Sequence, residues 1–170
     1  TLSHIALRRL NGPDASDWYS PFEGVALRLT EDGALAIHAP SVCAEEIVTN
    51  DIAELHEDGK FRILGRRDNV INSGGVKIQI EAVESQLLPL MPCAFQISAA
   101  PDAQYGEVVV LLAEGEGKAE DLKPLFAALH AYSRPKHVFF VPELPRTGSG
   151  KPDRANARAL AKKLTEDNHA

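Results

Sequence analysis

Over the first 64 residues, short apolar or alternating runs are separated by turn-forming residues, a pattern of β structure rather than helix. Strands are predicted at residues 5–10, 24–29, 34–38, 46–49 and 61–64. Between them, Asn11-Gly12-Pro13, Glu31-Asp32-Gly33 and Glu57-Asp58-Gly59-Lys60 each supply a residue that tolerates positive φ. An antiparallel sheet or partial barrel follows.

The pattern changes near Asn69. Residues 76–80 alternate as a strand, and residues 81–88 read as a helix with Val83 and Leu87 one turn apart, stopped by Pro89 and Pro92. Apolar strands at 95–99 and 108–113 flank a turn at Pro101-Asp102, with Tyr105-Gly106 leading into the second. Leu122, Leu125, Phe126 and Leu129 fall at i, i+3, i+4 and i+7, which predicts a helix with Asp121 as N-cap and Pro124 in its first turn. A strand at 137–141 and a helix at 155–164 complete the order. The fold class is therefore α+β: a β-rich N-terminal segment, then a compact mixed unit of roughly 100 residues. Their junction falls at residues 65–68.

The chain has 170 residues, 44% of them hydrophobic, enough for one medium domain or two small ones. Its net charge of -6, with 18 cations scattered among 24 anions, argues against nonspecific binding to nucleic acid or an anionic membrane. Cys43 and Cys93 form neither a CxxC pair nor a disulfide framework, which points to a reducing, cytoplasmic setting. No apolar run approaches the roughly 18 residues of a spanning helix. The six histidines lack metal-binding spacing and the cysteines do not join them, so no protein metal site is expected. The opening Thr1-Leu2-Ser3-His4-Ile5-Ala6-Leu7-Arg8 is not a basic-then-apolar targeting segment and has no initiator methionine. Thr1 is expected to be an internal residue of a longer protein.

Candidate chemistry concentrates in two stretches. Pro145-Arg146-Thr147-Gly148-Ser149-Gly150-Lys151-Pro152-Asp153-Arg154 places Lys151, a compact mobile cation, in a turn bracketed by glycines that resist helix and strand. By itself such a turn is equally a solvated surface feature. The second stretch runs from Gly65-Arg66-Arg67-Asp68-Asn69 through Ser73-Gly74-Gly75-Val76-Lys77 to Glu84. The order and spacing of the two resemble the adenylate-forming superfamily of acyl-CoA synthetases, peptide-synthetase adenylation domains and luciferases. Its patterns run GRxDxxI(K/N)xxGx(K/R)IxxxE(I/V)E and, later, PxTxxGKxxR.

The resemblance implies that residues 1–67 are the β-rich end of the family's large AMP-binding domain and 68–170 its mobile α+β C-terminal domain. Lys151 matches the mobile lysine that reaches the α-phosphate during adenylation. Asp51, in Val48-Thr49-Asn50-Asp51, stands where the family has the aspartate that accepts the ribose hydroxyls, with Asn50 in place of the usual glycine. An Asn-Asp turn at a strand end is the alternative reading of that site. Arg66 matches the arginine on the ribose and phosphate side of the nucleotide, where a planar fork holds two oxygens. Arg67 occupies a variable, solvated position. Asp68 matches the hinge residue. Ser73, Gly74 and Gly75 match the stretch lining the pantetheine tunnel, although Gly-Gly before a strand is as commonly a plain turn. Lys77 is placed either near a CoA phosphate or on the surface. The opening residues are similar to those following the YGMTE motif in o-succinylbenzoate-CoA ligases of menaquinone biosynthesis, which implies that Thr1, Ser3 and His4 lie near an acyl pocket.

The implied activity is that of an AMP-forming acid-thiol ligase using ATP, Mg2+ held mostly by residues outside this chain, and CoA. The expected partners are a small carboxylic acid, ATP, CoA and the upstream part of the same protein, with no nucleic acid and no membrane. Two other readings stay open: an adenylation domain that loads a carrier protein, and a noncatalytic binding module keeping the fold. The 170-residue chain alone is expected to be inactive.

Overall fold

The computed structural model describes residues 4–168. The chain divides after Asp68 into two compact units. In the first, β1 (Ala6–Leu7) pairs with β2 (Ser20–Pro21). An antiparallel sheet follows in the order β3 (Ala26–Leu29), β4 (Ala34–Ala39), β5 (Cys43–Leu55), β6 (Phe61–Arg66). Gly33 and Gly59, with φ of 81° and 83°, make the turns of the β3–β4 and β5–β6 hairpins. Ile5, Leu35, Ile37, Ala39, Ala53 and Phe61 form the core. Tyr19 stacks on Phe61 at 5.3 Å while their backbones exchange hydrogen bonds of 2.7 and 3.1 Å.

Three expectations are revised here. The strand expected over 5–10 shrinks to Ala6–Leu7, because beyond it Arg8 and Arg9 pair with Asp17 and Asp14 instead of continuing a ladder. β5 runs for 13 residues where only 46–49 carried an apolar signal, since its polar positions are solvated and its pairing passes from β4 to β6. Asn50 and Asp51 lie inside that strand and make no turn; the Asn50 carbonyl accepts from Arg67 N at 2.8 Å, and no described non-glycine residue has positive φ.

The second unit comprises β7 (Val70–Ser73), β8 (Val76–Gln79), α1 (Ile80–Leu87), β9 (Phe95–Asp102), β10 (Gly106–Glu114), α2 (Ala119–Leu122), β11 (His137–Val141) and α3 (Arg154–Asp167). Central β10 runs antiparallel to β9 and parallel to β11, and the β7–β8 hairpin joins it through Gly106 and Ser73. One face of the sheet, carrying Ile97, Ala99, Val109, Leu111 and Ala113, is covered by α1 and by Leu122, Phe126 and Leu129. The other, carrying Ala100, Val110, Leu112 and Val141, packs on Leu144 and the Ala157 and Ala161 face of α3. Burial on both faces explains why β9 and β10 read as nearly continuous apolar runs.

Two further differences have local causes. β9 continues through Pro101 and Asp102, where a turn was expected; among the described residues β9 pairs only with β10 and tolerates proline at an edge. The turn comes after, held by the Asp102 carboxylate, which accepts from Gln104 N at 2.9 Å and Tyr105 N at 3.0 Å. The expected helix over 122–129 is instead the single turn of α2, begun after Lys118 and not capped by Asp121, followed by a 3-10 segment, Lys123–Ala128. Because the helix starts earlier, Pro124 falls past its tolerant first turn and lacks the N–H that an α ladder needs there, so the chain tightens. Leu122, Phe126 and Leu129 still reach the core.

α3 begins where the Asp153 side chain accepts from Asn156 N at 3.0 Å. Asp153→Ala is expected to lower stability by about 1 kcal/mol, read from the midpoint of urea unfolding.

Candidate functional site

In the first unit, the β5–β6 register sets Asp51 opposite Arg66, with Arg66 Nη1 3.8 Å from Asp51 Oδ1. Asp51 N donates to Thr49 Oγ1 at 3.1 Å, and that hydroxyl donates to Leu35 O at 3.0 Å, tying the strand to β4. Arg66 donates from Nε and Nη2 to the two oxygens of Asp68 at 3.0 and 3.3 Å, and Asn50 Nδ2 donates to Asp68 Oδ2 at 3.4 Å. Hydrogen bonding from Arg66 holds the Asp68 carboxyl below the usual carboxylate range. Arg67 turns instead to Asp32, 3.1 Å away. Asp51, Arg66 and Asp68 thus form one half-exposed, ion-paired cluster of a guanidinium fork and two carboxylates. His4 is exposed, and Thr1 and Ser3 lie outside the described residues.

In the second unit, Gly74 and Gly75 are the two-residue turn of the β7–β8 hairpin, with φ of 58° and 85°. Positive φ at both central positions is what a type I′ turn demands, and glycine meets that at no steric cost. Gly74 N donates to Tyr105 O at 2.8 Å, which seats the turn against the start of β10. Ser73 is buried, 5% exposed, and Lys77 is exposed. Beside the turn opens a cleft of about 570 Å³ lined by Ser73, Tyr105, Val108, Tyr132, Arg134 and Lys136, among others. Lys136 lies 5.3 Å over the Tyr105 ring and donates to Asp102 Oδ2 at 2.5 Å. That bond, with those from the Tyr105 and Gln104 amides, pushes the Asp102 carboxyl down to about 2, so the tether holds throughout the neutral range. Arg134 Nε donates to Leu129 O at 3.1 Å. Cationic and aromatic groups therefore line the same cleft, a chemistry suited to a phosphorylated aromatic ligand. Nothing in the sequence pattern singled out Tyr132, Arg134 or Lys136.

Lys151 sits elsewhere in this unit and does not line that cleft. Its loop is closed internally by Thr147 N donating to Lys151 O and Gly150 N donating to Thr147 O, both at 2.8 Å. Residues 146–152 are all exposed, and the Lys151 ammonium makes no ion pair or hydrogen bond among the described residues of its unit. Below the loop, Arg154 clasps Glu84 of α1 through two bonds of 2.6 Å. Glu84 and Arg154 are the last letters of the two motifs, opposite charges 70 positions apart, and no local pattern in the sequence pairs them.

No family model matches the chain. It is 38% identical over 107 residues, 61% of its length, to 2-succinylbenzoate–CoA ligase of Lactococcus lactis, covering 23% of that protein. It is 34% identical over 155 residues, 86% of its length, to 2,3-dihydroxybenzoate-AMP ligase of Bacillus subtilis, covering 26%. The chain thus spans about a quarter of the length of these curated relatives. Its fold is similar to that of ATP-bound MatB from Rhodopseudomonas palustris, with a TM-score of 0.75 at 22% identity over 91% of this chain and 37% of that one.

Proposed function

The chain matches the C-terminal part of AMP-forming acyl-CoA and aryl-acid ligases, and on that premise we propose that the intact protein joins a carboxylic acid to CoA through an acyl-adenylate. In the first step a carboxylate oxygen attacks the α-phosphate of ATP and pyrophosphate leaves. In the second the CoA sulfur attacks the acyl carbon, AMP leaves, and the thiol proton passes to solvent or phosphate. Lys151 steadies the charge gathered on the α-phosphate in the first step. Asp51 accepts the ribose hydroxyls, Arg66 holds oxygens on the phosphate side, and Asp68 is the point about which the second unit turns between steps. Ser73, Gly74 and Gly75 let the pantetheine arm pass, and Arg134, Lys136 and Tyr132 in the adjoining cleft take the nucleotide end of CoA. Mg2+ accompanies the ATP, with its ligands assigned mostly to residues outside this chain. No helix among the described residues is long and apolar enough to cross a membrane.

The observation that carries this reading is the Lys151 loop: a cation on an exposed, internally braced tip whose base is fastened to the core. The acid is o-succinylbenzoate, on the strength of the opening residues and of the 38% identity to a 2-succinylbenzoate–CoA ligase. His4 is assigned to the acyl pocket on the same opening residues. The test is AMP release by the full-length protein across a panel that includes o-succinylbenzoate and 2,3-dihydroxybenzoate, with and without CoA. Release with o-succinylbenzoate that requires CoA is expected; release indifferent to CoA with another acid would overturn both assignments. The 170-residue chain alone is expected to give no ATP–pyrophosphate exchange with any acid.

A further inference from the structure

The hydrogen bonds inside the Lys151 loop set its shape but not its location. Location comes from its two ends. At the first, the Pro145 carbonyl accepts twice, from Gln96 Nε2 at 2.8 Å and from Asp153 N at 3.0 Å, and Leu144 N donates to Glu114 Oε2 at 3.0 Å. At the second, the Arg154 fork spans both oxygens of Glu84, and Glu84 Oε1 also accepts from Ile97 N at 2.9 Å. The pair is largely enclosed, with side chains 23% and 21% exposed, so a planar fork on a carboxylate fixes orientation as well as distance.

Gln96 is the less expected member. It lies in β9, 2% exposed, beside buried Ile97, Ala99 and Ala100 and the one other buried polar residue described in that strand, Ser98. Its Nε2 reaches Pro145, while its Oε1 is buried with no hydrogen-bond partner among the described residues. An orphaned buried carbonyl oxygen is a standing penalty that an apolar side chain of like size would remove. Stability alone does not explain a glutamine here; holding Pro145 does.

We infer that Gln96 and the Glu84–Arg154 pair are positioning residues that fix the base of the Lys151 loop and so determine where its ammonium meets the nucleotide. Through α1, which continues directly from β8, the same clasp joins that loop to the element carrying the Gly74-Gly75 turn. The inference rests on the role proposed above for Lys151.

The test uses the full-length protein and four variants: Gln96→Leu, Glu84→Gln, Lys151→Ala, and Gln96→Leu combined with Lys151→Ala. Gln96→Leu is expected to leave the melting temperature unchanged or raised, to lower kcat for acyl-adenylate formation between about 10- and 100-fold with the KM for ATP unchanged, and to leave thioester formation from preformed acyl-adenylate within about twofold. Glu84→Gln is expected to show the same split between half-reactions. The double variant is expected to be no slower than Lys151→Ala alone, because Gln96 acts only through that lysine. Equal losses in both half-reactions, or losses that multiply in the double variant, would overturn the inference while leaving the role of Lys151 intact. If Lys151→Ala itself adenylates normally, the underlying reading fails instead, and the two failures are told apart by that single control.

Discussion

Lys151→Ala in the intact protein is expected to slow acyl-adenylate formation by about a thousandfold while sparing thioester formation from preformed acyl-adenylate. The magnitude follows from charge. A unit charge pair at about 4 Å with an effective dielectric near 20 is worth roughly 4 kcal/mol, and that much stabilisation confined to the transition state is about three powers of ten in rate. A lysine that merely solvated a turn would contribute almost nothing. Folding gives no alternative account of such a loss: the loop is exposed throughout, and surface changes of this kind usually alter stability by less than about 0.5 kcal/mol. Lys151→Arg is expected to recover little, because a planar delocalised fork on a longer stem does not reproduce a compact ammonium at a fixed site. Pyrophosphate exchange reports the first step and CoA-dependent release of AMP from added acyl-adenylate the second; equal losses in both would sink the role.

Why this loop could be located in the chain, and its lysine assigned by resemblance, while its supports could not, has a physical reason. Gly148, Gly150 and Lys151 are neighbours in the chain, and a turn is a local event. The β-rich to mixed order was legible for the same reason, since period-two and helical spacing act over a few residues. Glu84 and Arg154 meet only after α1 and α3 have docked near the same edge of β9, so neither charge announces its partner. Gln96 left a faint trace, a long polar side chain in a mostly apolar strand, whose meaning depends on a carbonyl 49 positions away. The apolar spacing at Leu122, Leu125, Phe126 and Leu129 marked the buried face, but it does not distinguish an α ladder from a tighter 3-10 turn; the missing N–H of Pro124 decided that. β5 was underread because a strand half covered by solvent needs no apolar signal along its outer face.

Gly75→Leu is the mirror of the lysine change. A Cβ built at Gly75 meets nothing within 4 Å, so a larger side chain would enter open space beside the turn without displacing the unit's own packing. Gly74 offers a poorer test, because there a Cβ would sit 3.2 Å from the Tyr105 ring. The backbone at Gly75 has φ of 85°, so any side chain there carries strain of about 1 to 3 kcal/mol, which a lowered melting temperature would register. If the pantetheine arm passes this turn, filling the space should displace the reacting sulfur by an ångström or more, and misplacement on that scale costs about a hundredfold. Thioester formation is therefore expected to fall by about two powers of ten, with acyl-adenylate formation within about threefold of the parent. Strain by itself would act on both steps together, since it loosens the one sheet that carries the hairpin and, through α1, the lysine loop. A loss shared equally between the half-reactions would thus return Gly74-Gly75 to the status of a plain turn, whereas opposite losses in Gly75→Leu and Lys151→Ala would place the two chemical steps on two separate edges of one small unit.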